Sequence, residues 1–212
     1  MDERKAVRNR KLAEKVIRSL ESRNMEGFYA ETKEEALALA LSLIPEGSTV
    51  GWGGSVSIEE IGLKEAVCSG DYRVYDRDAC RTEEEKKQTE LAALGSDYFL
   101  CSTNAVSEDG ILVNIDGRGN RVAALIWGPE HVIVVAGMNK VVKTAEDAWS
   151  RARNEAAPVN AQRFPVQTPC KKTGSCGDCR RPDTICCQFV ATRYSKIPKR
   201  IKVILVNEEL GF

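Results

Sequence analysis

Residues 49–75 have the sequence TVGWGGSVSIEEIGLKEAVCSGDYRVY, and they decide the fold class. The stretch Thr49–Trp52 is short and apolar, which predicts a buried strand, and a second strand is predicted at 72–75. Between them, Ser57 and Glu60 have capping-box spacing, which predicts a helix that ends near Gly70. A strand, a helix and a second strand in succession are typical of a parallel sheet.

The same alternation continues on both sides of this segment. Capping-box spacing recurs at Thr32 with Glu35 and at Thr82 with Glu85. Helices are predicted at 3–22, 32–44, 82–94 and 144–156, the last ended by Pro158, and strands at 98–101, 111–115, 122–127, 132–136 and 202–206. Residues 116–120 predict a hairpin turn. We therefore expect an α/β fold, with a mostly parallel sheet that is covered by helices and interrupted by one antiparallel hairpin.

Composition limits the class of partner and the number of domains. Lysine plus arginine number 31, as do aspartate plus glutamate, so no net field draws a nucleic acid. Residues 1–23 are highly charged and no stretch is long enough to cross a bilayer, which predicts a cytoplasmic protein without membrane insertion. The 212 residues predict one α/β domain, 1–164 plus 200–212, with a cysteine-rich metal-binding segment at 165–199. The sequence permits oligomerisation.

The cysteines point to metal or redox chemistry. A chain of this length without an export signal has little use for disulfides, because cytosolic reductants keep thiols reduced. Of eight cysteines, three are scattered and five fall in one short stretch: Cys170, Cys176, Cys179, Cys186 and Cys187. These five are the predicted metal ligands, and the sequence does not decide whether Cys186 or Cys187 is the fourth one. Residues 165–199 hold few apolar side chains, so we expect metal to order this segment.

The ligand spacing favours an iron–sulfur cluster. Zinc ribbons usually supply two CxxC pairs separated by a dozen or more residues, whereas this chain has one such pair, Cys176 and Cys179. An all-sulfur set in one unevenly spaced loop is typical of a [4Fe-4S] cluster. The alternatives left open are a zinc site and a metal-free thiol pair that acts as a redox switch.

The glycine-rich turn is a candidate anion site. Gly53, Gly54 and Ser55 follow a predicted strand and precede a capped helix, a context in which free backbone N–H groups can hold an anion. Close packing of helix on sheet would require the same glycines. Asn120, Arg121 and Lys140 stand at predicted strand or helix ends, and Arg121 or Lys140 could give fixed positive charge for a carboxylate or phosphate.

Six motifs, taken together, give the chain a family resemblance. They are GWGGS at 51–55, TNAVSEDG at 103–110, VNIDG at 113–117, GNRVAA at 119–124, GMNK at 137–140 and RNEAAPVNAQR at 153–163. In this order they resemble the lactate-utilisation (LUD) domain family, over most of the chain from the first helix to about Arg163. The cysteine cluster is an addition to the simplest form of that domain.

The resemblance implies a fold of the sugar-phosphate isomerase and coenzyme A transferase type. It also implies association with the oxidation of L-lactate to pyruvate through iron–sulfur oxidoreductase partner proteins. Coenzyme A transferases of similar fold use a glutamate nucleophile in a setting comparable to that of Glu108, so Glu108 and Lys140 are the predicted catalytic residues.

Two functions follow as hypotheses. The first is an iron–sulfur LUD-domain protein that acts in the utilisation of lactate or a related 2-hydroxyacid, as an electron carrier or as a subunit of an oxidation system. If the protein is an enzyme, we expect an oxidoreductase component with a small anionic substrate. The alternative is a small-anion or thioester-binding enzyme of transferase or isomerase type with a structural zinc site.

Overall fold

A computed structural model describes residues 2–212, so Met1, the first residue of the predicted domain 1–164, lies outside the described residues. Within these described residues, ten strands form two sheets. The strands are β1 (Glu26–Ala30), β2 (Thr49–Trp52), β3 (Arg73–Tyr75), β4 (Tyr98–Cys101), β5 (Ala105–Ser107), β6 (Leu112–Asp116), β7 (His131–Gly137), β8 (Val141–Val142), β9 (Gln188–Thr192) and β10 (Ile201–Val206).

The larger sheet has six strands, all parallel, in the order β1-β10-β7-β4-β2-β3. The smaller sheet has the order β8-β5-β6-β9, and its β5–β6 and β6–β9 pairs are antiparallel. An antiparallel hairpin is therefore present, but it connects β5 to β6 in the second sheet and does not interrupt the parallel one.

In the part of the chain that the structure describes, nine α-helices surround these sheets. They are α1 (Glu3–Ser22), α2 (Lys33–Ser42), α3 (Val56–Glu60), α4 (Leu63–Ser69), α5 (Glu83–Ala93), α6 (Asn120–Ile126), α7 (Ala145–Arg151), α8 (Ala157–Ala161) and α9 (Pro169–Thr173). A 3₁₀ turn, Met138–Lys140, follows β7, and a π-helical turn, Ala152–Ala156, joins α7 to α8. Within residues 2–212, no helix combines the length and the apolar composition needed to span a bilayer.

Alternate side chains of the central strands supply two hydrophobic layers. In β7, Val132 and Val134 pack with α1, α5 and α6 on one face, whereas Ile133 and Val135 pack with α2, α3 and α4 on the other. A smaller cluster joins β5 and β6 to α7. Both faces of the parallel sheet are covered, which explains why its strands are near-continuous apolar runs. The predicted α/β class, with a mostly parallel sheet flanked by helices, is confirmed.

Four local predictions are wrong. The predicted strand 122–127 is helix α6, because Gly119 (φ +88°) ends the turn after β6 and the apolar run then continues as a helix, so the hairpin turn predicted at 116–120 is wrong as well. The helix after β2 begins at Ser55, whose side chain caps it, instead of at Ser57, and it breaks at Gly62 (φ +73°) into α3 and α4. Pro158 does not end its helix, since the π-helical turn widens the backbone just before it and relieves the clash a proline ring makes there.

Candidate functional site

The parallel sheet has a switch in strand order between β2 and β4. From β2 the chain crosses to β3 on one side and then returns, through α5, to β4 on the other side. Ligands of open α/β sheets bind outside the carboxyl ends of the strands at such a point. Here those ends carry Gly53, Gly54 and Ser55 after β2, and Ser102 and Thr103 after β4. We call the space between these two turns the switch-point crevice.

The two glycines of the crevice have different structural roles. A Cβ atom at Gly53 would lie 2.9 Å from both Cβ and Cγ of Arg121, so this glycine is needed for packing. A Cβ atom at Gly54 would meet nothing within 4 Å, and the φ of Gly54 lies outside the left-handed region. Ser55 is the N-cap of α3, and its side chain accepts from the backbone N–H of Ile58. Neither packing nor backbone strain requires a glycine at position 54.

Arg121 lies beside Gly53, as the sequence suggested, but its guanidinium is held by the protein itself. It donates to the carbonyl oxygens of Ser102 (2.9 Å) and Ile115 (2.9 Å) and to the side chains of Asn104 and Asn114. Its Nε also lies 3.4 Å from Asp116 Oδ2. Arg121 therefore braces the two sheets against each other. Asn120 points to α5, where it donates to Glu90, away from the crevice groups.

Lys140 lies at the crevice in an unusual environment. The residue is 3% exposed, and its Nζ lies 2.9 Å from Ser57 Oγ and 3.0 Å from Ser102 Oγ. Burial, followed by the nearby positive charges of Arg151 and Arg121, lowers the pKa of Lys140 to about 7. At pH 7 the amine is therefore neutral in a large fraction of molecules. The role of Lys140 as a fixed positive charge stays a prediction, and the lowered pKa favours the neutral amine.

Glu108 lies in a different setting. Its Oε2 lies 2.5 Å from Lys15 Nζ and 2.8 Å from Lys143 Nζ, so it links α1 to the end of the second sheet. Hydrogen bonds from Lys143 and Lys15 lower the pKa of the Glu108 carboxyl group. The two predicted catalytic residues have no contact partner in common within residues 2–212. The geometry does not bring Glu108 and Lys140 together.

The second candidate region is a cavity of about 210 Å³ in the cysteine-rich segment. Four of the five predicted ligands line it: Cys170, Cys176, Cys179 and Cys186. Helix α9 carries Cys170, and Gly174 (φ +74°) turns the chain towards Cys176. Cys186 lies two residues before β9 and packs against the apolar cluster of the smaller sheet. All five thiols in this segment are free.

The thiols of the cavity affect one another. Burial, and then the charges of Cys170, Cys176 and Cys179, raise the pKa of Cys186 to about 11. Threonine hydroxyls lie close to two of the sulfurs, 3.3 Å from Cys170 Sγ and 3.7 Å from Cys179 Sγ. A hydrogen bond with Cys176, followed by the charge of Asp178, raises the pKa of Arg153. The cavity thus combines four sulfurs with two arginine side chains, Arg153 and Arg180, among the described residues that line it.

Cys187 differs from its neighbour. It is exposed, its Sγ lies 3.7 Å from the carbonyl oxygen of Thr184, and it is not among the described residues that line the cavity. Across residues 2–212, no group of three or more His, Cys, Asp or Glu side chains is arranged to hold a single metal ion.

The LUD domain model matches residues 13–206, which is more than half of the chain and includes the cysteine-rich segment. The chain belongs to the LUD domain family.

Among solved structures, the LUD chain resembles a DUF162 family protein from Deinococcus radiodurans, with a TM-score of 0.53, 15% identity, and coverage of 94% of this chain and 98% of that one. At this identity the likeness shows a shared fold alone. Ribose 5 phosphate isomerase A from Neisseria gonorrhoeae gives a TM-score of 0.34 at 17% identity, over 53% of this chain and 54% of that one. The delta subunit of eIF2B from Chaetomium thermophilum gives a TM-score of 0.35 at 17% identity, over 66% of this chain and 51% of that one. No curated protein matches the chain.

These last two scores are too low to carry an argument, so the isomerase- and transferase-like fold type stays a prediction for this LUD protein. Sequence reasoning missed three residues of its crevice, Ser57, Ser102 and Arg151. Ser57 was interpreted as a helix cap, and no motif distinguishes Ser102 from any small residue at a strand end. Arg151 lies on α7, yet it donates to the backbone carbonyl oxygens of Asn104 and Asn139 beside Lys140.

Proposed function

We propose that this LUD-domain protein holds a [4Fe-4S] cluster on Cys170, Cys176, Cys179 and Cys186. We further propose that it transfers electrons in the utilisation of lactate or a related 2-hydroxyacid, in a reducing compartment such as the cytoplasm. The observation that carries the proposal is the lining of one cavity by four free thiols from three separate turns of chain. Membership of the LUD family, whose name refers to lactate utilisation, supports the class of substrate.

The chemistry of the donors fits an iron–sulfur cluster. Thiolates are soft ligands that suit iron–sulfur clusters and zinc and do not suit Mg²⁺ or Ca²⁺. Four thiolates around one zinc ion, each at about 2.3 Å, need a tight tetrahedron, whereas a cubane spreads its four cysteine ligands over four irons. When bound, such a cluster supplies one-electron transfer.

The surrounding residues could stabilise and tune this centre. Arg153, whose guanidinium lies 2.9 Å from Asp178 Oδ1, places positive charge next to Cys176, where it would partly offset the negative charge of a thiolate-ligated cluster. Hydroxyl groups of Thr168 and Thr184 lie within reach of two sulfurs, and hydrogen bonds to cluster sulfurs shift the reduction potential. Because burial raises the pKa of Cys186, loading the site must release a proton there.

The switch-point crevice supports a small anionic substrate. The positive charges of Arg121 and Arg151 lie near Lys140, and the open space over Gly54 leaves the backbone of the turn approachable. Iron–sulfur oxidoreductase partner proteins are the proposed source or acceptor of electrons. The crevice is also the feature that favours the alternative function, a small-anion or thioester-binding enzyme with a zinc ion at the cysteines.

A comparison of two adjacent cysteines tests the ligand set. After anaerobic expression, Cys186→Ser should lose most of the broad visible absorbance and the low-temperature electron paramagnetic resonance signal of the reduced cluster. Cys187→Ser is the matched control, and it should keep both, because its thiol lies outside the cavity. The double variant Cys176→Ser/Cys179→Ser should bind little metal. Loss of the cluster in Cys187→Ser together with its retention in Cys186→Ser would overturn the assignment.

A further inference from the structure

Lys140 is buried without a counter-ion. No carboxylate oxygen lies within 4.0 Å of its Nζ among the described residues, and the hydrogen-bond partners of Nζ are the hydroxyl groups of Ser57 and Ser102. An uncompensated ammonium group costs several kcal/mol when it is buried, so such a lysine usually loses its proton. Two nearby guanidinium groups, on Arg121 and Arg151, favour the same result. Lysines that are desolvated beside another cation are typical nucleophiles towards carbonyl compounds.

The neighbours of this amine suit proton transfer. Ser57 Oγ and Ser102 Oγ lie 2.9 Å and 3.0 Å from Nζ, on α3 and after β4 respectively. A neutral amine has two N–H donors and one lone pair. The amine can therefore donate to one hydroxyl and accept from the other. The hydroxyl groups are close enough to carry a proton to or from a group that is bonded to Nζ.

Gly211 lies next to the amine of Lys140. A Cβ atom at Gly211 would lie 2.8 Å from Ser57 Oγ and 3.3 Å from Lys140 Nζ, so only a glycine fits over the amine. Gly211 itself has a φ of +51°, and its N–H donates to Glu60. Leu210, in contrast, is fully buried in the core. A ligand could reach Nζ if Gly211 and the residue after it moved, while Leu210 stayed in place.

We propose that Lys140 forms an imine with a small 2-oxo acid that enters the switch-point crevice. The Nζ lone pair attacks the carbonyl carbon as the C–O π bond breaks, and the proton from nitrogen passes to the new alkoxide through Ser57 or Ser102. The resulting carbinolamine then loses its hydroxyl group, with one proton, as water, and a C=N bond forms. No oxidant or reductant is consumed, and the reaction reverses by addition of water.

The charges around Lys140 favour a carbonyl compound that carries a carboxylate. Arg151 is 7% exposed; its Nε and Nη1 donate to backbone carbonyl oxygens, and its Nε lies 3.8 Å from Glu155 Oε2. The positive charge of Arg151 near Lys140 would attract a carboxylate on the carbonyl compound. The bound carboxylate would also partly neutralise the positive charge of the basic side chains near the amine. The inference is independent of the cysteine site, since imine formation needs no cluster.

The pH dependence follows from the charged groups that face Lys140. Burial, Arg151 and Arg121 lower its pKa, while Glu60 on α3 and Cys101 on β4 raise it, with a net value of about 7. Only the neutral amine attacks a carbonyl group. The rate of imine formation should therefore rise as the pH increases through about 7 and level off above it, whereas ordinary lysines need a pH near 10.

The test is reductive trapping with pyruvate and sodium cyanoborohydride on the intact protein, followed by mass spectrometry and peptide mapping. We expect one reduced pyruvyl adduct per chain, on Lys140. Lys140→Arg keeps a cation but cannot form an imine, so it should give no adduct there. Lys143→Arg is the matched control and should be labelled like the wild type, because Lys143 lies on the surface beside Glu108. Acetone, which lacks the carboxylate, should label roughly tenfold more slowly, as expected for loss of a charge-assisted hydrogen bond.

Three results would overturn the proposal. They are the absence of an adduct on Lys140 of the wild type, labelling spread equally over exposed lysines, and labelling by acetone that is as fast as by pyruvate. If Lys140→Arg fails to fold, the proposal is tested by the wild type alone, through its peptide map and the pH dependence of its labelling. Trapping needs no metal. If the protein lacks a cluster but still forms the adduct, the proposed redox function fails while the proposed imine formation at Lys140 stands.

Discussion

Gly53→Ala should destabilise the protein, whereas Gly54→Ala next to it should not. The new Cβ at position 53 would lie 2.9 Å from Cβ and Cγ and 3.2 Å from Cδ of Arg121. Carbon atoms normally pack at about 3.5–4.0 Å. Arg121 has little freedom to withdraw, because its guanidinium donates to Ser102, Ile115 and two asparagines.

The cost of such overpacking is about 1–3 kcal/mol in the free energy of unfolding. For a chain of this size, each kcal/mol corresponds to about 2–4 °C in Tm. The difference in the free energy of unfolding is measured by thermal and urea unfolding of Gly53→Ala, Gly54→Ala and the wild type. Gly54→Ala should remain within about 0.5 kcal/mol of the wild type, because its Cβ points into open space. A Gly53→Ala protein as stable as the wild type would refute the account of Arg121 as a fixed brace.

Two further predictions concern acid stability and metal removal. Lys143 and Lys15 lower the pKa of Glu108 in the folded protein, so the ionised carboxylate stabilises the fold. This stabilisation should be fully present above the ordinary carboxyl pKa of about 4.3. It should be lost as the pH falls through the lower pKa that Glu108 has in the folded protein. Glu108→Gln should therefore reduce the fall in unfolding free energy below about pH 5, measured by urea titrations at several pH values, and an unchanged pH profile would contradict the pairing. Removing the metal should speed hydrogen exchange at 169–187, while β9 stays protected by its pairing with β6. Equal protection of 169–187 with and without metal, or cooperative unfolding of the whole chain, would show that metal does not order this segment separately.

Much of the fold could be predicted because several local signals agree. The capping-box spacings that precede α2 and α5 and the apolar runs of β4, β7 and β10 are clear in the sequence, and the structure has these elements within a few residues of the predicted bounds. Strands β1, β5, β8 and β9 were missed because each is at most five residues long and partly exposed or shared with a turn. The apolar run at 122–127 was assigned to a strand because a short run of this kind does not distinguish a strand from a buried helix.

Of the candidate sites, the cysteine cluster could be predicted from the sequence and the environment of Lys140 could not. The cysteines were found because unusual residue types at close spacing are visible without a structure, and the lining of the cavity then distinguishes Cys186 from Cys187. The environment of Lys140 could not be predicted, because Ser57, Ser102 and Arg151 come from three distant parts of the chain. Only the topology of the sheets brings them together. The division into a domain of 1–164 plus 200–212 and a segment of 165–199 stays a prediction, although β9 of that segment pairs with β6 of the domain.

The iron, acid-labile sulfide and zinc content of anaerobically purified protein tests the central proposal most directly. A [4Fe-4S] cluster on the four cavity cysteines predicts about four irons and about four sulfides per chain, with little zinc. The protein should then be brown, and its visible absorbance should bleach on reduction. A colourless protein that holds about one zinc ion per chain after anaerobic expression and iron supplementation would contradict the cluster and favour a structural zinc site instead.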